Sequence, residues 1–183
     1  MSEAFKLAMN EMRNHYRQSP LSPFKLANSF TANIANATNG PVPNELIKVA
    51  DSFNQGFSGQ LENDKSYIQN CVNELKSANN LDDFRTKMEQ KRQKAKDEAS
   101  ARIDKLYDNL TQVGVDHPES QGLILDTADK INSFINNIIN AIVDFVTNIV
   151  NNIVHWLEEA WDRVKNFFGN VASQVSSFFG SIF

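Results

Sequence analysis

From Phe134 to Phe183 the sequence repeats every eleven residues without a gap. Phe134, Phe145, Trp156, Phe167 and Phe178 form one column of the repeat, and Ile135, Val146, Leu157, Phe168 and Phe179 the next. Ile138, Ile149, Ala160, Val171 and Ile182 make a third, and Ile139, Val150, Trp161, Ala172 and Phe183 a fourth. Ile142, Ile153, Val164 and Val175 complete the apolar set. Eleven residues make three turns at about 3.67 residues per turn, so the columns stay aligned along one nearly straight helix. At about 98° per residue they cover an arc of roughly 160°, and the other columns fall on the opposite side.

Each large apolar side chain in those columns is worth about 1.5–3 kcal/mol when fully buried, so the face has to be covered. Three covers are open: the N-terminal helices of the same chain, further copies of it, or a lipid surface. The arc is much wider than the seam of a two-stranded coiled coil, which excludes that partner. Between Ile131 and Leu157 lie Asn132, Asn136, Asn137, Asn140, Asn148, Asn151, Asn152, Asp144 and His155, too many polar groups for an ordinary span of hydrocarbon. A helix lying in the membrane plane escapes that cost, with its aromatic column at the headgroup boundary. An oligomer could instead turn the Asn face inward around water, as a pore.

The rest of the chain reads as helical. Seven glycines, five prolines and no run of alternating β-branched residues point to an all-α protein. A first helix is predicted from Ser2 to Arg17, with Phe5, Met9, Met12 and Tyr16 on one face. Ser19-Pro20-Leu21-Ser22-Pro23 ends it, and a second helix is expected from about Phe24 to Asn36. After Asn39–Pro43 a short helix should take Glu45 to Asn54, with Gly56 and Gly59 bracketing a turn at Phe57. Leu61, Ile68, Val72 and Leu75 mark the next helix, which Asn79-Asn80 breaks. From Leu81 to Val113 a charged helix carries a thin stripe of Phe84, Met88, Ala95, Ala99, Ile103, Leu106, Leu110 and Val113, suited to a hairpin partner. The expected architecture is an elongated helical bundle: a short-helix region over 1–58, a charged helical hairpin over 59–114, a linker over 115–122, and the amphipathic repeat helix over 123–183.

The net charge of −4 gives no whole-chain case for nucleic acid. Arg85, Lys87, Lys91, Arg92, Lys94 and Lys96 form a basic run suited to anionic headgroups, with a solvated helix face as the plain alternative. Aromatic residues are not interleaved with it and acids follow at once, which disfavours nucleic acid. His15, His117 and His155 lie far apart, so no metal site is expected, although His155 in the polar face could sense pH. Cys71 reads as a small buried hydrophobe. With no phosphate loop, nucleophile elbow or carboxylate pair, neither an enzymatic activity nor a cofactor nor a small-molecule substrate is expected. The N-terminus has no apolar signal core, which implies a cytoplasmic or peripheral-membrane location, with export that bypasses a signal peptide left open.

The gapless period resembles the lipid-surface repeats of exchangeable apolipoproteins, perilipins and synucleins. The ending from Phe167 to Gly180, with paired Phe among Ser, Gly and Asn, is similar to lipid-packing-sensor helices. The resemblance covers the last third of the chain. It implies a helical bundle that opens and lays its apolar face on lipid through Phe134, Phe145, Trp156, Leu157, Trp161, Phe167, Phe168, Phe178, Phe179, Ile182 and Phe183. The apolipoprotein and synuclein repeats place Lys at the polar boundary, where this chain has only Lys165. Insertion of apolar side chains, rather than charge attraction, is the expected mode of attachment. The rival expectation is a structural subunit of a homo-oligomer or filament whose repeat helices pack on one another.

Overall fold

In the computed structural model, which describes residues 2–26 and 40–183, apolar residues at three- and four-residue spacing set every helix. Helix α1 (Ser2–Gln18) buries Phe5, Ala8, Met9, Met12 and Tyr16 and stops before Pro20, whose ring cannot continue it. The helix expected over 24–36 lies largely outside the described residues, and its described start, 24–26, is not helical.

Helix α2 (Asn44–Ala78) is a single helix. The short helix ending near Asn54 and the turn around Phe57 are therefore corrected: Gly56 and Gly59 lie inside α2. Each glycine costs a helix about 1 kcal/mol relative to alanine. Phe53 and Phe57 are both buried four residues apart on its inner face, and their burial outweighs that cost. Asn79, with φ 52°, turns the chain in the left-handed region that Asn tolerates. The side-chain oxygen of Asn80 then accepts the backbone N–H of Asp83 at 3.0 Å and caps helix α3 (Leu81–Asp116). Every residue of the thin α3 stripe named above is buried.

A 3-10 turn (Pro118–Ser120) leads into α4 (Gln121–Trp156), a long apolar helix. The expected single repeat helix is here corrected as well. Leu157-Glu158-Glu159 form a turn, and α5 (Ala160–Gly180) runs back along α4 as an antiparallel hairpin. Periodicity fixes which side of a helix is apolar, not whether the chain goes on straight. Folding back buries the columns of both arms within the chain. The result is an all-α bundle, with five α-helices among the described residues.

The chain divides into two compact units, and α2, α3 and α4 each contribute to both. The first comprises Met1–Phe53, Ser100–Asn137 and Ile182–Phe183. Its interior joins α1 to α3 and α4 through polar groups as well as apolar ones. Asn132, fully buried, donates to the Tyr107 hydroxyl at 3.0 Å, and the Tyr16 hydroxyl donates to Asp129 at 2.6 Å. Arg13 lies 5.3 Å above the Tyr107 ring and donates to the Asp104 carbonyl at 2.9 Å. Gly114 is required by α1: a β-carbon there would sit 2.2 Å from the Phe5 ring.

The second unit comprises Asn54–Ala99 and Ile138–Ser181. Its core is built by Phe57, Leu61, Ile68, Val72, Phe84 and Met88 from the α2–α3 hairpin and by the α4–α5 columns. Within it, Asp64 and Lys91 form an ion pair, with side chains 1% and 7% exposed.

Candidate functional site

Burial follows most of the apolar columns of the sequence on both arms of the α4–α5 hairpin. Ile138, Ile149, Ala160 and Val171 are buried, as are Ile142, Ile153, Val164 and Val175. Ile135, Val146 and Phe168 are buried too, with Leu157 and Phe179 half-buried in the same column. The aromatic column, Phe134, Phe145, Trp156, Phe167 and Phe178, is half-buried throughout and marks the edge of the covered arc. In the remaining column Ile139 is buried, while Trp161 is 38% and Phe183 46% exposed, and Ile182 beside it is half-buried.

Three aromatic rings hold the arms together. Phe145 and Phe167 stack with centroids 4.0 Å apart and planes at 3°. Phe168 meets both edge-on, at 6.3 Å and 5.3 Å. Such pairs add about 0.5–1.5 kcal/mol beyond area burial. At the corner the Glu159 N–H donates to the Trp156 carbonyl at 2.9 Å. Arg163 pairs with Glu159 at 2.8 Å and lies 4.1 Å above the Trp156 ring. Lys76 from α2 approaches Glu158 at 3.9 Å.

Beyond Ile131 the charges of the hairpin gather at that corner, apart from Asp144. Between Ile131 and Trp156 the only Asp, Glu, Lys or Arg is Asp144, and from Asn166 to Phe183 there is none. Asp162 and Lys165 are exposed in the first turns of α5, and from Asn166 onward its exposed side is uncharged: Asn166, Gly169, Asn170, Ala172, Ser173, Gln174, Ser176, Ser177 and Gly180. A β-carbon built on Gly169 or Gly180 would meet nothing within 4 Å, so packing does not demand glycine at either place. By length and composition, the stretch Pro118–Trp156 is apolar enough to cross a membrane, with a mean hydropathy of 1.3 over its most apolar window. A third of that window is buried.

The basic run does not form one free cationic surface. Lys91 points into the core against Asp64 and over the Tyr67 ring, 5.4 Å away, which removes it from the exposed patch. Lys87 pairs with Glu74 at 2.5 Å and Asp83 at 2.8 Å, and these carboxylates hold its ammonium well above the ordinary lysine value. Arg92 meets Glu89 at 3.1 Å, Lys94 meets Glu98 at 3.6 Å and Arg85 meets Asp82 at 3.8 Å. Lys96 is exposed.

The Asp64–Lys91 pair has a signal in the sequence that a list of apolar residues passes over. The α2 stripe skips from Leu61 to Ile68 and the α3 stripe from Met88 to Ala95, and in each gap the residue at helical spacing is charged. Burial raises the Asp64 carboxyl above its usual range, and Lys91 opposes that rise. Near the α2–α3 corner a cavity of about 200 Å³ is lined by Cys71, Glu74, Leu75, Asp83, Phe84 and Lys87. Burial raises the Cys71 thiol, which keeps it protonated and a poor nucleophile. Among the described residues no three His, Cys, Asp or Glu side chains cluster as metal ligands would. His155 is exposed, in keeping with its place in the polar face.

Compared with protein families, curated proteins and solved structures, the chain matches none.

Proposed function

We propose that this chain is a non-enzymatic lipid-interface protein whose working element is the α4–α5 hairpin. The observation that carries this is the exposed side of α5. An outer helix face in a water-bathed bundle gains from Lys and Glu, which favour helix and pair at i,i+4. From Asn166 onward that side is uncharged and mostly Asn, Ser and Gly instead, at positions such as Gly169 where space is free. Folding alone gives no reason for this choice, whereas a helix entering a membrane interface gains from shedding charges that must stay hydrated. The half-buried aromatic column at the arc's edge suits the same interface, where aromatic rings settle at headgroup level.

Attachment is by apolar insertion. Five of the six residues of the basic run pair with acids, which leaves little cationic surface for anionic lipid. Once seated, an eleven-residue amphipathic face of this width would wedge between headgroups and could remodel or permeabilise the bilayer. Flotation with small unilamellar dioleoylphosphatidylcholine vesicles tests the proposal: full-length protein should rise with the lipid. Protein that stays folded in the aqueous fraction, and sizes as a stable multimer, would instead support a subunit whose hairpins pack on one another.

A further inference from the structure

The corner between α4 and α5 contains no residue that a turn requires. Leu157, Glu158 and Glu159 are good helix formers, with no Gly or Pro among them. Glu159 sits at φ −98°, ψ −10°, still within the right-handed helical region, and its side chain makes no capping bond to α5. The α2–α3 corner is built differently: Asn79 is left-handed there, the only non-glycine residue with positive φ among those described, and Asn80 caps the next helix. One corner is specified by turn chemistry, and the other is a helix interrupted.

The eleven-residue register runs through the interruption without adding or losing a position, with Trp156 before it, Leu157 within it, and Ala160 and Trp161 after. If the corner straightened, the columns of both arms would merge into one face. Glu158, Glu159, Asp162, Arg163 and Lys165 would all fall in the polar columns, as Asp144 does. The contacts at the corner are polar and partly exposed: Lys76–Glu158 ties it to α2 and Arg163 over Trp156 reaches across it, while Glu159–Arg163 is an i,i+4 pair that a straight helix would keep. Such pairs are individually weak.

On the lipid-interface function proposed above, we infer that the corner is a hinge. α5 swings off α4 and the two become one continuous helix over 121–180, about 90 Å long. The lipid-facing surface is then the merged apolar face that the closed hairpin hides, not the side of α5 exposed in the closed form. Lipid fits this face better than a second copy does, because the half-buried aromatic column runs along its border over both arms.

The two forms differ in a distance that can be measured. Phe145 and Phe167 stack at 4.0 Å in the hairpin, whereas their positions would stand about 33 Å apart along a straight helix. Spin labels on Asn140→Cys and Ala172→Cys, both exposed positions, in a Cys71→Ser background follow the same change. In buffer the labels should report the spacing of packed helices, about 10 Å between axes. On dioleoylphosphatidylcholine vesicles the distance should lengthen to about 48 Å, and a second pair, Asn148→Cys with Asn166→Cys, to about 27 Å. Vesicle-bound protein that keeps the short distances overturns the hinge and leaves lipid binding standing. Failure to bind vesicles removes the lipid function and the hinge with it. Long distances in buffer, in a particle of twice the mass, would put a second copy over the opened face and overturn the assignment to lipid.

Discussion

Replacing Lys91 with Met would leave the Asp64 carboxylate inside the second unit without its opposing charge. The side chains are 1% and 7% exposed, so water does little to screen the loss. Met keeps most of the lysine stem's volume, which keeps any cavity cost small. Removing one partner of a buried pair costs about 3–5 kcal/mol, against a total stability of about 5–15 kcal/mol for an ordinary domain. Burial already raises the Asp64 carboxyl, and Lys91 opposes that rise, so its removal lifts the carboxyl further. A carboxyl raised in the folded state gives stability that is complete below its unfolded value and lost as pH rises through the folded one. The deficit of Lys91→Met should therefore be largest near neutral pH and shrink as the pH falls toward about 4. Urea denaturation followed by circular dichroism over that range measures it. The double variant Asp64→Leu/Lys91→Met should regain most of the loss, since an apolar pair often replaces a buried ion pair at little cost. A loss under about 1 kcal/mol at neutral pH, or a deficit that grows on acidification, would refute this account of the pair.

Gly114→Ala should destabilise the first unit by about 1–3 kcal/mol, seen as a lower urea midpoint, because its β-carbon would strike the buried Phe5 ring. Tyr16, pushed up to about 12 first by burial and then by its hydrogen bond to Asp129, contributes stability that is lost as pH rises from about 10 through 12. Tyr16→Phe should flatten that alkaline loss in denaturation curves. Trp161→Ser and Phe183→Ser, at exposed positions, should leave the urea midpoint nearly unchanged. Each should weaken binding to dioleoylphosphatidylcholine vesicles by about tenfold, the equivalent of roughly 1.4 kcal/mol of lost insertion. Unchanged titrations for both would remove these residues from the lipid surface.

The parts of the fold visible in the sequence are those set by local spacing. The faces of α1 and α3 follow from apolar residues at three- and four-residue intervals, and the α2–α3 corner from Asn79-Asn80. Two features depend on competition between distant segments, and there local signals misled. Gly56 and Gly59 look like a break, yet burial of Phe53 and Phe57 carries α2 through them. The repeat looks like one rod, yet stacking of Phe145 on Phe167 repays a turn that no local residue announces. In the basic run, helical phase rather than charge decides which side a lysine faces. Lys91 occupies the gap in the α3 stripe and turns inward. For the candidate site, the columns predicted which residues share a face, while the half-buried state of the aromatic column needed the packed hairpin.

The chain's two tryptophans, Trp156 and Trp161, both flank the α4–α5 corner, so their emission reports on the proposed lipid surface without labels. Titration of full-length protein with small dioleoylphosphatidylcholine vesicles carrying brominated acyl chains is the most direct measurement. A blue shift with strong quenching by bromines near the headgroups is expected if the corner and its arms enter the interface. Emission that stays unshifted and unquenched at saturating lipid would contradict the central claim.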